Sequence, residues 1–237
     1  MDCSTFILNL FPPLLGQLNL DFGKITPNIP YILGGIQVTL LFTLLSALFG
    51  FFALAIVLSF FKVSTFKPLR WFADVYTSIF RGTPLILQLA LIYFATPQLT
   101  GYPITGLQAG VITFALNSAA YSSETIRGGI LAVDKGQREA AQTLGVSYPM
   151  MMKDIILPQA FKNILPALVN DSIALLKDSA LVSTVGAEDV MRRAQIVAAE
   201  KFIYFEPLLL AGVIYYVLVM GLTLFARRFE RRMRRSD

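Results

Sequence analysis

Between Lys24 and Lys62 the chain carries no charged residue. A stretch of that length and polarity has few stable fates in water, whereas a bilayer core of about 30 Å takes roughly 20 mostly apolar residues per helix. Residues 29–61 therefore read as a membrane-spanning helix, long or tilted. The composition agrees: only 15% of residues are charged, against about 25% in an ordinary soluble domain. With one cysteine (Cys3) and no histidine, a disulfide scaffold and a zinc enzyme relying on His are excluded.

Four further spans follow on the same argument. Residues 71–95 carry Asp74 near the start and Arg81 further in; residues 105–126 end beside Glu124; residues 164–186 contain Asp171, Lys177 and Asp178; residues 207–226 are uncharged and stop against Arg227 and Arg228. The Pro- and Gly-bearing stretch 96–103 reads as a turn, and 127–163 is too polar to cross lipid. Lys62, Lys67 and Arg70, the basic residues of 127–163 and the arginines of the tail all fall on one side of a five-span layout. Lys24, Arg192, Arg193 and Lys201 fall on the other, so the first side faces the cytoplasm. The expected fold is an all-α integral membrane protein with five transmembrane helices, its N-terminus outside and its C-terminus cytoplasmic. Residues 1–28 form an external segment read as interfacial, 29–228 the transmembrane domain, and 229–237 a basic cytoplasmic tail suited to anionic lipid headgroups. Residues 188–201 place Val190, Ala194, Val197 and Ala198 at helical spacing opposite Arg192, Arg193 and Glu200, which predicts a short amphipathic helix on the outer surface. Gly34, Gly35, Gly50, Gly212 and Gly221 permit close helix contacts, within the subunit or at a dimer seam.

From Asp134 the sequence reads DKGQREAAQTLGVSYPMMMKDIILPQAFKNILP. Residues 137–144 favour helix, with Ala140 and Ala141 as strong formers and Gly145 as a stop. A second helix is expected from near Met150 to a break at Leu157-Pro158. Two short helices at a sharp angle suit a docking knob, and equally an amphipathic loop packed on the base of the bundle.

Glu139-Ala140-Ala141, then Gly145, Ile155 and Leu157-Pro158 at their spacings, resembles the EAA loop of permease subunits of ABC importers. Phe80-Arg81-Gly82-Thr83-Pro84 resembles the FRGTP signature of the polar amino-acid permeases, the histidine/glutamine/arginine/opine group, and residues 120–130 and 175–182 are similar to that group as well. The resemblance covers roughly residues 30–228. It implies that the coupling helix, with Glu139, Ala140, Ala141, Leu144 and Gly145, sits in a cleft of a separate ABC ATPase subunit. ATP and Mg would be bound there and no cofactor by this chain; GxxxxGK[ST] does not occur in it. Implied further are a second permease subunit (homo- or heterodimer), an extracytoplasmic substrate-binding protein, a polar or basic amino-acid substrate and a multi-pass place in the bacterial cytoplasmic (inner) membrane. The chain would then be a transport subunit without its own catalytic site, and not a nucleic-acid binder.

Charged groups inside spans face the bundle interior or a wet cavity. Asp171 and Asp178 are seven residues apart, so on one helix they share a face about 10 Å apart along the axis. In a substrate cavity Arg81 would meet an α-carboxylate, and Asp171 with Asn170 an α-ammonium or a cationic side chain. The structural alternative pairs Arg81 with Asp178 or Asp74, and Lys177 with Glu124 or Asp171. For Asp171 the cavity role is preferred: the resemblance implies an acidic residue there in permeases that import basic substrates. A rival function is an ion-coupled secondary amino-acid transporter using Asp171 or Asp178, against which stands the lack of internal symmetry. For a membrane enzyme no nucleophile–base pair or metal cluster is visible.

Overall fold

The computed structural model describes residues 20–234, and among them there are helices and no strands. Most of the expected interfacial segment 1–28, and the end of the tail, lie outside the described residues. The part of that segment within them forms two 3₁₀ turns, Phe22–Lys24 and Thr26–Asn28.

Helix α1, Thr26–Val63, is the long apolar element that the uncharged run demands. It is α-helical over Ile29–Ala47 and Ala55–Val63, with a π-helical stretch, Leu48–Leu54, between them. A π stretch widens the turn and often marks a functional site; this one holds Phe51 buried on the inner side. The next stretch departs from the single span expected over 71–95. Helix α2, Lys67–Gly82, and helix α3, Leu85–Thr100, meet at 102°. Pro84 has no N–H to continue the ladder, and it drives the preceding Thr83 out of the helical region, so both sit extended at ψ 147° and 134°. Carbonyls freed at such a corner need partners inside a membrane protein. Gln88 Nε2 donates to the carbonyls of Phe80 (2.9 Å) and Thr83 (3.1 Å), and Asn117 Nδ2 donates to Phe80 O (3.1 Å) and Gln88 Oε1 (3.0 Å).

Helix α4, Gly106–Leu131, starts with a reciprocal cap between Thr105 and Gln108 and packs against α1, α2, α3 and the later α6. It runs five residues past the expected end at 126. Helix α5, Lys135–Thr143, follows. The break expected at Leu157-Pro158 is absent: a turn at Tyr148–Met150 passes through a π-helical stretch, Met151–Ile156, directly into helix α6, Leu157–Asp178. Pro158 lies just past that π-helical stretch, where the backbone ladder is already shifted from its i→i−4 pattern. Helix α6 also ends earlier than the expected 186, giving way to a 3₁₀ segment, Ser179–Val185. Helix α7, Val190–Lys201, and helix α8, Phe205–Arg234, complete the chain.

Among the described residues, two stretches are long and apolar enough by themselves to cross a membrane, Thr26–Val63 and Phe205–Phe229, with the bent α2–α3 pair a third if it counts as one span. Helices α4 and α6 are less apolar because they carry the Ser, Asn and Asp side chains that line the interior.

The helix expected over 188–201 is present, and its apolar face packs against protein. Val190, Ala194, Val197 and Ala198 are buried, the first three in a cluster that includes Ile32 of α1 and Ala211 and Ile214 of α8. Asp189 caps α7: its Oδ1 accepts from Arg192 N at 2.8 Å and its Oδ2 from Tyr215 Oη at 2.7 Å. Gly35 is the seat of that helix, since a Cβ there would lie 2.6 Å from Val190 N and 2.7 Å from the Asp189 carbonyl carbon. Gly35→Val is expected to cost about 2–3 kcal/mol, read as a lower thermal-unfolding midpoint in detergent. Gly212→Val, at a glycine with open space around it, is expected to leave the midpoint unchanged; equal shifts would show that the α1–α7 contact is not tight.

Candidate functional site

A cavity of about 360 Å³ opens between α1, the α2–α3 corner, α4 and α6, at the lower end of the range for small-molecule sites. Helix α6 contributes Asp171, Ala174, Leu175 and Asp178; α4 contributes Phe114, Asn117, Ser118, Tyr121 and Ser122; Phe51, Thr83 and Leu85 complete the wall. The 3.6-residue period sets this arrangement, since 171, 174, 175 and 178 fall on one stripe of α6 and 114, 117, 118, 121 and 122 on one stripe of α4.

The lining holds two carboxylates and no cationic side chain. Asp171 Oδ2 and Ser122 Oγ are buried without a hydrogen-bond partner. Buried polar atoms in folded proteins are nearly always paired, so these two are open to a hydrogen bond from a molecule in the cavity.

The structure divides the site residues expected from sequence. Asp171 and Asp178 lie together in the wall. Asn170 is exposed and is not part of that wall. Arg81 is exposed, makes no ion pair among the described residues, and lies 5.3 Å over the ring of Tyr121; it borders the cavity through that ring. Neither expected pairing of Arg81, with Asp178 or with Asp74, is formed, nor is either expected pairing of Lys177, with Glu124 or with Asp171. Lys62 takes two of those acids instead. Its side chain, 2% exposed, pairs with Glu124, lies 3.9 Å from Asp74 and donates to Thr77 Oγ1 at 2.9 Å. Arg127 holds the other oxygen of Glu124 at 2.8 Å. The sequence offers Lys62 as the first charge after an apolar run, which reads as a residue facing water; only the crossing of α1, α2 and α4 encloses it. Gln88 and Asn117, which satisfy the corner, had no sequence signal beyond being amides within apolar helices.

In the loop after α4, Asp134 Oδ1 accepts from Gly136 N at 2.7 Å and starts α5. Gly145, at φ +71°, ends it. Gly145 N donates to Gln142 O and Val146 N to Ala141 O, both at 3.0 Å, the paired closure that needs a left-handed residue at this position. Helix α5 is two-faced. Ala141, 3% exposed, packs with Val133, Met151 and Ile156. Glu139 and Ala140 are exposed, and Leu144 is 81% exposed beside the turn. One face is thus bound to the bundle and the other presented outward, with a large apolar side chain that packing within this chain does not use.

Comparison with known proteins places these features in context. The family described as "Binding-protein-dependent transport system inner membrane component" matches residues 46–235. The chain is 54% identical over 220 residues to the arginine transport system permease protein ArtQ of Bacillus subtilis, covering 93% of this chain and 100% of that one. It is 50% identical over 210 residues to the putative glutamine transport system permease protein GlnP of Rickettsia bellii, covering 89% and 96%. Among solved structures, a crystal structure of an amino acid ABC transporter with histidines superposes with a TM-score of 0.86 at 41% identity, covering 91% of this chain and all of that one. The MetNI methionine ABC transporter, in inward-facing conformations, shares the fold at a TM-score of 0.72 and 21% identity, over 88% of this chain and 98% of that one.

Proposed function

The chain belongs to the family of binding-protein-dependent transport system inner membrane components, as the permease subunit of an amino-acid ABC importer, and from that premise we propose how its parts divide the work. Helices α1, α4, α6 and α8 and the bent α2–α3 pair serve as five crossings of a bacterial inner membrane, with the N-terminus outside and the C-terminus cytoplasmic; the arginines around 227–235 and the basic residues of 127–163 support that orientation. The exposed face of α5, with Glu139, Ala140 and Leu144, meets a separate ATPase subunit that binds ATP and Mg, while Ala141 and Gly145 hold the helix in shape. A second permease subunit and an external binding protein complete the importer.

The cavity takes an amino acid with a cationic side chain. One observation carries this: the wall has the carboxylates of Asp171 and Asp178, no cationic side chain of its own, and an Asp171 oxygen left without a donor. A charge that stays unpaired in a membrane interior is costly, and an ammonium or guanidinium supplies both the charge and the N–H donors. The apolar Phe51, Phe114 and Leu85 suit the methylene stem of such a side chain. The resemblance of the chain to an arginine permease supports the same class.

Vesicles containing the chain with its ATPase subunit and binding protein test the assignment. Uptake of arginine or lysine is expected to require ATP, to stop with vanadate and to persist with a protonophore, with glutamine a weaker competitor. Uptake that collapses with the protonophore and ignores vanadate would assign the carboxylates to ion coupling instead.

A further inference from the structure

Arg138 stands apart from the exposed face of α5, yet it makes the one hydrogen bond that joins α5 to α4 among the described residues: its Nη2 donates to the carbonyl of Ile130 at 2.9 Å. Ile130 lies in the last turn of α4. The carbonyls of a last turn have no partner within the helix and carry the negative end of its dipole, which a guanidinium complements in charge and hydrogen bonding. The Nε of the same group is buried and has no acceptor. A buried donor left unpaired is a cost to stability.

The other attachment of α5 is apolar and reaches both the end of α4, at Val133, and the start of α6. Ala141 packs with Met151 and Ile156 in the stretch that runs into α6. Helices α4 and α6 are themselves pressed together just above, where a Cβ on Gly129 would collide with the Ile164 side chain. The two helices carry Asn117 and Ser122 on one side of the cavity and Asp171 and Asp178 on the other. A short helix fixed to those helices through one buried side chain, Ala141, and followed by the left-handed turn at Gly145, would pivot when pushed. A second anchor at its other end makes it a lever.

We propose that Arg138 is the positioning residue that fixes α5 to the end of α4, so that displacement of α5 by the ATPase is passed to the cavity wall that α4 and α6 carry. This rests on reading α5 as the ATPase contact. Loss of the anchor leaves nucleotide hydrolysis running while the cavity walls follow it poorly.

The test uses the full importer, reconstituted with its ATPase subunit and binding protein, with ATP hydrolysis and uptake measured in the same vesicles. The probe is whichever of arginine, lysine and glutamine the unmodified complex takes up fastest. Arg138→Gln is expected to keep hydrolysing ATP while uptake per ATP falls roughly tenfold, the size of one charge-assisted hydrogen bond. Arg138→Lys, which keeps a cationic donor, is expected to restore the ratio to within about threefold of the unmodified protein. An unchanged ratio, an equal fall in hydrolysis and uptake, a Lys variant no better than the Gln variant, or an Arg138→Gln subunit that fails to co-purify with the ATPase would each overturn the proposal. Ala140→Arg, on the exposed face, tests the reading beneath it and is expected to abolish co-purification. If that variant assembles and transports normally, the coupling role of α5 fails whatever Arg138 does. If it blocks assembly while Arg138→Gln keeps the ratio, only the role of Arg138 falls.

Discussion

Asp171→Asn is expected to lower the uptake of arginine or lysine by roughly 10- to 100-fold, the range of a charge-assisted hydrogen bond whose partner is deprived of its counter-charge. Glutamine uptake should change far less. The exchange is nearly isosteric, so the cavity keeps its shape, and the amide still accepts a hydrogen bond. What it loses is the negative charge that offsets a cationic side chain in a wall with no other ion partner for it than Asp178. A neutral substrate has less to lose at that position. Initial rates for the three amino acids in the same vesicles decide the matter, since equal effects on all three would reject a selective role for Asp171. Asp178→Asn on the same helix stripe separates the carboxylates: if both contact one substrate, the double variant should lose less than the product of the single losses, because each change removes part of a shared interaction.

Glu124→Gln is expected to cost about 3 kcal/mol of stability, the lower end for stranding one member of a buried ion pair. Its partner Lys62 is almost wholly enclosed and would be left with Thr77 and the more distant Asp74. Pairing Glu124→Gln with Lys62→Met removes the stranded charge, and the double variant is expected to recover most of the loss. Thermal-unfolding midpoints of the detergent-solubilised single and double variants read this directly. Additive effects would mean that the two groups do not interact in the folded state. The contact joins α1 to α4 two to three residues beyond Tyr121 and Ser122 of the cavity wall, so it also holds the frame in which that wall sits.

The cavity was half legible. Asp171 stood out because an acid within an apolar span has few tolerable environments, and it lines the cavity. Asp178 shares its helix face by the seven-residue spacing alone, and it lies in the same wall. Asn170 follows the same logic and fails it, since a neighbour one residue away points about 100° round the helix. Of the two readings of Arg81, the pairing with Asp178 or Asp74 does not form; its guanidinium lies over the Tyr121 ring at the cavity's edge. Which acid a buried lysine finds depends on how three helices cross, and no local pattern records that. The corner at Thr83-Pro84 was open to inference from the proline, yet the hydropathy on either side argued for one continuous span. Gly145 was the opposite case, because a glycine after a run of strong helix formers states its own backbone requirement.

Local chemistry determined what each segment of this chain is: an apolar run must be a buried or membrane-spanning helix, an Asp or Thr before one starts it, a glycine ends it, and a proline bends the path. Those are properties of a few adjacent residues against solvent or lipid, and sequence carries them, although a local signal can be overridden, as at Pro158, through which the helix continues. The tertiary structure alone decided which faces meet: Lys62 enclosed with Glu124, Arg138 on the end of α4, and Ser122 and Asp171 left unpaired in one wall. Such contacts join residues far apart in the chain, and their geometry follows from the crossing angles and close approaches of whole helices, which are set by the packing of every side chain between them.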